Sequence, residues 1–133
     1  MLNKDVAIKY FLLSLLLLLC TSFDVQASEV KAVTNDSVSL PPLSKLELRR
    51  IFSKRVTKWP NGQPIVVFVL ASKNPIHQRF SKEVLKIFPY QLDRIWNKMT
   101  YSGIGTAPII IHNYQALLEE IKKTPGAIGY AEN

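Results

Sequence analysis

The sequence predicts an α/β fold in which a central, mostly parallel sheet is flanked by helices. An apolar, β-branched run at residues 65–71 has the length of a buried strand. Beyond it, apolar residues recur at the spacing of one helical face: Ile76, Phe80, Val84 and Ile87. A second strand and helix follow in the same order at residues 109–121, and a last short strand is predicted at residues 127–130. Alternating strands and helices favour parallel strand pairs, because each parallel connection needs a crossover.

The first 27 residues are typical of a signal peptide. Lys4 and Lys9 give a positively charged start, residues 10–20 are apolar, and Val25-Gln26-Ala27 matches the small-residue cleavage pattern. We expect cleavage after Ala27, which leaves residues 28–133 as a single domain. An uncleaved anchor is the alternative, but the apolar run is shorter than the roughly 20 residues of a spanning helix.

The composition of residues 28–133 excludes several kinds of site. The one cysteine of the chain, Cys20, lies in the leader, so a disulfide framework, a cysteine metal site and a cysteine nucleophile are excluded from the domain. The leader carries as many acidic as basic residues, and the net charge of +7 therefore stays with the domain.

Basic residues are concentrated in one short segment: Lys45, Arg49, Arg50, Lys54, Arg55 and Lys58. Such a segment could meet nucleic acid, anionic lipid or an acidic protein surface, or it could be a solvated helix face and loop. Export argues against nucleic acid as the partner.

Turn and cap signals divide the chain into its elements. After a short strand at residues 30–34, Ser44 with Glu47 three residues later forms the capping-box pattern of a helix start. The apolar side of this helix is Leu48, Ile51 and Phe52, with its basic residues facing water. Asn61-Gly62 is a strong turn signal before the central strand.

The turn after the central strand is the predicted ligand site. Asn74, or alternatively Ser72, suits a helix cap, and Pro75 suits the first helical position, whose N–H would be unpaired anyway. A helix start beside the carboxyl end of a strand points free N–H groups outward and attracts anions. The alternative is that this turn only connects two core elements.

The second half of the chain repeats these signals. Pro89 begins a helix with a four-point apolar face, and residues 101–108 form a glycine-rich loop before a strand of buried type at residues 109–111. Asn113 caps the last helix, and Thr124-Pro125-Gly126 ends it. The core face of the first of these helices is Leu92, Ile95, Trp96 and Met99.

Three stretches together resemble a known family. They are residues 46–52 followed by Lys58-Trp59-Pro60-Asn61-Gly62, the strand and helix at residues 65–80, and Pro125-Gly126-Ala127-Ile128-Gly129-Tyr130. In this order they are similar to the phosphate-binding proteins of bacterial ABC transporters, and more closely to short exported members of that family. The resemblance implies a periplasmic, non-enzymatic protein of type 2 periplasmic-binding-protein-like fold, in which two lobes clamp an oxyanion, with an ABC permease or other envelope protein as partner and no cofactor. This chain is long enough for one lobe, which corresponds to the second lobe of the family.

The family's ligand residues are only partly present. Anchoring on Phe80 places Leu70 where relatives have an arginine, and Asn74, Pro75 and Ile76 where they have Ser-Gly-Thr. Leu70 cannot make a bidentate charged contact with an oxyanion, and Pro75 removes one N–H donor. The candidate ligand residues are therefore Ser72, Lys73, Asn74, Ile76 and His77.

The sequence gives no clear motif for metal binding, nucleotide binding or catalysis. His77 and His112 lack carboxylate or cysteine neighbours at metal-ligand spacing, and each reads as a surface or helix-end histidine. Residues 103–106 could form an N–H nest but lack the spacing of a nucleotide loop. Neither a nucleophile elbow nor a catalytic carboxylate pair is predicted, and no metal or enzyme activity is expected.

Two functions remain open from the sequence. The first is binding of inorganic phosphate or a similar oxyanion at the turn of residues 72–77. The second is an interaction module that has lost its ligand and docks a periplasmic or membrane partner through its basic segment. The residues predicted to form that docking surface, with an exposed tryptophan, are Arg49, Arg50, Lys54, Arg55, Lys58 and Trp59.

Overall fold

The computed structural model of the protein describes residues 3–18, 25–26 and 28–133. A helix, α1, spans Lys4–Leu18, and the side chains of residues 3–17 are exposed. Cys20 and the expected cleavage position Ala27 lie outside the described residues. Within the described ranges, no helix has both the length and the apolar character required to cross a membrane.

Residues 28–133 fold into alternating strands and helices, which confirms the predicted α/β class. The strands are β1 (Val30–Thr34), β2 (Val66–Leu70), β3 (Ile109–Ile111) and β4 (Ala127–Glu132). The helices are α2 (Lys45–Phe52), α3 (Pro75–Arg79), α4 (Pro89–Ser102) and α5 (Tyr114–Lys123). α3 continues directly into a π-helical stretch, Phe80–Leu85, which we call the π segment.

The four strands form one sheet in the order β1-β4-β2-β3. β2 pairs in parallel with β4, with Val66 opposite Ala127, and in parallel with β3, with Phe68 opposite Ile109. β1 pairs antiparallel with β4. Two of the three pairings are parallel, as the alternation of strands and helices predicts, and β2 lies in the interior of the sheet.

Local side-chain hydrogen bonds set the helix starts. At α2, Ser44 Oγ accepts from the Glu47 amide at 3.2 Å, and Glu47 Oε2 accepts from the Ser44 amide at 2.7 Å, so the predicted capping box is present. At α5, Asn113 Oδ1 accepts from the Ala116 amide at 2.8 Å. These bonds satisfy N–H groups that have no partner within the helix.

An aromatic stack joins the helices to the sheet. The ring of Phe80 in the π segment lies 4.4 Å from that of Tyr130 on β4 and 4.8 Å from that of Phe52 on α2, measured between centroids. All three side chains are buried. The predicted apolar faces of α2 and α4 also point inward, with Leu48 and Leu92 buried. The core therefore lies between these helices and strands β2 and β4.

The prediction that residues 109–111 form a buried strand is wrong about burial. β3 is the last strand of the sheet order, and Ile109 and Ile110 are about half exposed. A strand at a sheet edge has a neighbour on one side only, and an apolar run of three residues does not reveal its place in the sheet.

Candidate functional site

The turn between β2 and α3, residues 71–76, is the β2–α3 corner. Asn74 Oδ1 accepts from the Ile76 amide at 2.9 Å, and Pro75 occupies the first turn of α3. The predicted cap is therefore confirmed. The corner lies at the carboxyl end of the central strand, with the amino end of α3 beside it.

A carboxylate from α4 lies at this corner. Ser72 Oγ donates a hydrogen bond to Asp93 Oδ1 at 2.5 Å, the short distance of a charge-assisted bond. The Ser72 hydroxyl is therefore already engaged in the structure. The negative charge of Asp93 also opposes a second anion at the same hydroxyl.

The remaining predicted ligand residues differ in what they can offer. The backbone N–H of Ile76 was predicted to be available to a ligand. In the structure it donates to Asn74 Oδ1 and is therefore used by the helix cap. Lys73 is exposed and forms no ion pair with any residue that the structure describes. Lys73 is therefore the accessible positive charge of the β2–α3 corner.

His77 is buried, so the prediction of a surface or helix-end histidine is wrong. It is 1% exposed, and its Nδ1 lies 2.7 Å from Tyr130 Oη. The buried face of α3 and the π segment consists of His77, Phe80, Ser81 and Leu85. Phe80 is buried as predicted, whereas the other members of the predicted face, Ile76, Val84 and Ile87, are only partly buried against the core. Packing of α3 against the sheet, and not the apolar spacing alone, decides which residues turn inward.

The hydrogen bonds around Tyr130 define the state of the histidine. The Leu70 amide donates to Tyr130 Oη at 2.7 Å, so the phenol proton is directed to His77 Nδ1. That arrangement places the imidazole proton on Nε2, which has no hydrogen-bond partner among the described residues. Burial lowers the pKa of His77, and the Asp93 carboxylate partly opposes this effect. His77 is therefore neutral in the folded protein.

We expect the stability of the protein to fall as the pH drops below about 6.5, the ordinary pKa of histidine. The unfolded chain then takes up a proton at His77 more readily than the folded chain, in which the pKa of this residue is lowered. Denaturant midpoints at about pH 7.5 and pH 5.5 measure the loss. His77→Asn keeps an acceptor near Tyr130 and should flatten this dependence, whereas His112→Asn, at an exposed position, should leave it unchanged. If the denaturant midpoint changed equally with pH in the wild type and in His77→Asn, the assignment of a buried, neutral His77 would be contradicted.

Two cations of the predicted docking surface are only partly exposed. Arg49 was expected to face water, but its guanidinium donates to Leu85 O at 2.5 Å and Lys86 O at 3.0 Å, at the end of the π segment. Lys54 is half-buried with a backbone φ of 64°, and burial lowers its pKa. Arg49 thereby links α2 to the end of the π segment, and neither side chain is fully accessible to a partner, which the charge pattern alone does not reveal.

The prediction of an exposed Trp59 is wrong. Trp59 is 4% exposed, and its indole N–H donates to Gly126 O at 3.0 Å. The loop that carries it is closed by backbone bonds from Trp59 to Gln63 O and from Ile65 to Thr57 O, both 2.9 Å, which turn the ring inward. Of the predicted docking residues, Arg50, Arg55 and Lys58 remain exposed.

Sequence reasoning missed the residues that tie the corner together. Asp93 follows Leu92 at the border of the apolar face of α4, and nothing in its spacing marks it as a partner of Ser72. Tyr130 belongs to a quoted motif without an assigned role. Arg79 bonds Glu132 at 2.8 Å and also contacts the Ser28 carbonyl. In the described part of the chain, no three His, Cys, Asp or Glu residues are grouped as a metal site requires.

A sheet of order β1-β4-β2-β3 with one antiparallel edge strand, flanked by helices, is one lobe of a periplasmic-binding-protein-like fold. Solved structures that are similar to it include proteins described as phosphate ABC transporter substrate-binding proteins or phosphate transport receptors. One is a protein from Clostridium perfringens assigned to this class and solved with bound phosphate, with a TM-score of 0.63 and 16% identity. Others are an ABC-type phosphate transport receptor from Vibrio cholerae, with a TM-score of 0.59 and 12% identity, and PstS from Borrelia burgdorferi, with a TM-score of 0.56 and 15% identity.

The shared region covers most of this chain and less than half of the others. It spans 79% of this chain in each case, and 40% of the Clostridium perfringens protein, 41% of the Vibrio cholerae protein and 40% of the Borrelia burgdorferi protein. No protein-family model matches the chain, and no curated protein matches it. At these identities the likeness establishes the fold, and the residues of the site carry the argument for function.

Proposed function

We propose that this protein is an exported, non-enzymatic binding protein whose single lobe binds inorganic phosphate or a similar oxyanion weakly at the β2–α3 corner. One observation carries the proposal. A helix start capped by Asn74 follows the interior strand of the sheet directly, with the exposed ammonium of Lys73 beside it. A helix start of this kind favours negative charge, and one neighbour of the same fold was solved with bound phosphate.

The composition of the corner supports weak binding. Leu70 occupies the position where members of the similar family have an arginine, so the bidentate charged contact with an oxyanion is missing. Ser72 must also leave Asp93 before its hydroxyl can donate to a ligand. A single lobe offers one wall and cannot close around a ligand by hinge motion without a second body. An ABC permease or another envelope protein would supply the physiological partner.

Export is part of the same proposal. Cleavage after Ala27 would leave Ser28 as the first residue, and hydrogen bonds between the described N-terminal residues and the α/β domain begin at Ser28, through Arg79. β1 starts two residues later, at Val30. Cleavage would thus remove α1 and leave the domain intact. The mass of the protein recovered from the periplasmic fraction tests this directly.

Calorimetric titration with phosphate and with sulfate at low salt tests the anion site. The Asp93→Ala variant should bind these anions roughly tenfold more tightly than the wild type. The variant frees the Ser72 hydroxyl and removes a like charge from its side, and one such charge at a few ångströms is worth on the order of 1 kcal/mol or more. Ser72→Ala in the Asp93→Ala background should cancel most of the gain, because the freed donor is then absent.

Asp36→Ala is the matched control, since it removes the same charge from an exposed loop position. It should leave anion affinity within about twofold of wild type, because screening weakens the effect of distant surface charges. A titration without heat in wild type and in Asp93→Ala would remove the anion proposal. An equal gain in anion affinity for Asp36→Ala would show that the change in net charge alone causes the effect.

A further inference from the structure

An apolar groove of about 360 Å³ lies on the side of the domain formed by α2 and the loop after it. Its lining includes Ile51, Trp59 and Ile65, whose side chains are at most 5% exposed and therefore form a recessed floor. We call this feature the docking groove. It is separate from the β2–α3 corner, none of whose residues line it.

The floor of the docking groove is held in one arrangement. The indole of Trp59 is bonded to Gly126 O, and Ile65 is bonded through its backbone to Thr57 O. Lys58 and Pro64 form an antiparallel bridge between the two sides of the loop. A partner therefore meets a preformed cavity and does not have to order the loop on binding.

The exposed part of the lining of the docking groove contains both apolar and basic residues. Leu40 and Val56 are between a third and two-fifths exposed, and Pro41 and Pro42 also line the groove. Arg50 and Lys58 line the groove with exposed, positively charged side chains. The one acidic residue of the lining, Glu47, holds the Ser44 amide in the α2 capping box.

We propose that the docking groove binds an acidic segment of another protein, with an apolar side chain inserted on Trp59 and adjacent carboxylates paired with Arg50 and Lys58. The apolar floor fits the inserted side chain, and the two cations fit the carboxylates. In protein interfaces the residues that contribute most to binding lie in such desolvated pockets, and a few charged groups fix the orientation of the ligand. The proposal does not depend on anion binding at the β2–α3 corner.

Other occupants fit the groove less well. A membrane surface is bound by protruding apolar side chains, whereas the floor here is recessed. A second copy would bring the same basic residues, and the chain carries a net charge of +7, so like charges would meet. Single-stranded nucleic acid needs exposed aromatic rings for stacking, and Trp59 is buried.

Selection of random short peptides displayed on phage against the exported protein tests the proposal. The expected enrichment is for Asp or Glu next to Leu, Ile or Phe. Fluorescence anisotropy then measures the affinity of an enriched peptide for wild type and variants. Arg50→Glu with Lys58→Glu should weaken binding at least tenfold, because both carboxylate partners become repulsive. Lys98→Glu with Lys122→Glu changes the net charge equally at exposed positions outside the groove, and should change affinity less than twofold.

Val56→Asp separates the apolar contribution from the charge contribution, and it should weaken binding about tenfold while circular dichroism shows an unchanged fold. The proposal is overturned if no acidic and apolar motif is enriched, or if both double variants weaken binding equally. It is also overturned if vesicles containing phosphatidylglycerol bind the protein and displace the peptide, or if the groove variants abolish a dimer of the protein in solution.

Discussion

Tyr130→Phe is expected to lower the free energy of unfolding by about 3 kcal/mol, although it removes a single oxygen atom. Tyr130 Oη accepts from the Leu70 amide and bonds His77 Nδ1, both at 2.7 Å and both in the buried core. Without it, two buried polar groups lose their partner, and each such group costs about 1–3 kcal/mol. Urea unfolding monitored by circular dichroism measures the difference.

Tyr90→Phe is the control for Tyr130→Phe. Tyr90 is exposed on the first turn of α4, and its ring stacks on Phe88 in a way that phenylalanine preserves. The free energy of unfolding of Tyr90→Phe should differ from that of the wild type by no more than about 0.5 kcal/mol, as for most surface substitutions. A double-mutant cycle between Tyr130→Phe and His77→Leu should show a coupling of about 1 kcal/mol. Additive losses would mean that the hydrogen bond between the two side chains contributes nothing.

Gly126→Ala is expected to destabilise the protein by about 2–6 kcal/mol. Gly126 has a φ of +76°, where a residue with a Cβ is strained by about 1–3 kcal/mol. A Cβ there would also lie 2.4 Å from Pro64 O, a backbone atom that cannot move aside without displacing the loop before β2. Overpacking of this kind adds about 1–3 kcal/mol. Thermal and urea unfolding of the variant measure the sum.

Gly62→Ala separates strain from overpacking. Gly62 has a φ of +88°, but a Cβ at this position meets nothing within 4 Å. Gly62→Ala should therefore lower the free energy of unfolding only by the backbone strain, about 1–3 kcal/mol. A loss for Gly126→Ala no larger than that for Gly62→Ala would refute the predicted clash with Pro64. Because Gly126 O also holds the indole of Trp59, the Gly126→Ala variant should in addition weaken peptide binding in the docking groove.

The elements of this fold could be predicted because their signals are local. The Ser44 and Glu47 pair at α2, the Asn74 cap of α3 and the Asn113 cap of α5 each act over two or three residues, and each is present as predicted. The strand at residues 66–70 follows from a run of β-branched and apolar residues. Alternation of these elements then limits the architecture to a sheet with parallel pairs, as observed.

The candidate sites were predicted less completely. The sequence located the turn at Ser72 and Asn74 but could not show that Asp93, 21 residues further along, takes up the serine hydroxyl. Arg49 and Trp59 were predicted to be surface residues because they lie in or next to the basic segment of residues 45–58. Their hydrogen bonds to Leu85 O and Gly126 O become visible only when the segments are packed together.

By itself, then, the sequence determined the α/β class, the positions of the helices and strands, and the turn at which the central strand is followed by a helix. These follow from backbone geometry and from hydrogen bonds between residues a few positions apart. The tertiary structure decided that His77 is buried against Tyr130, 53 residues away, that β3 lies at an exposed edge, and that Trp59 forms a groove floor. Those outcomes depend on which surfaces meet when the chain packs, and water is excluded only where surfaces from distant segments fit together.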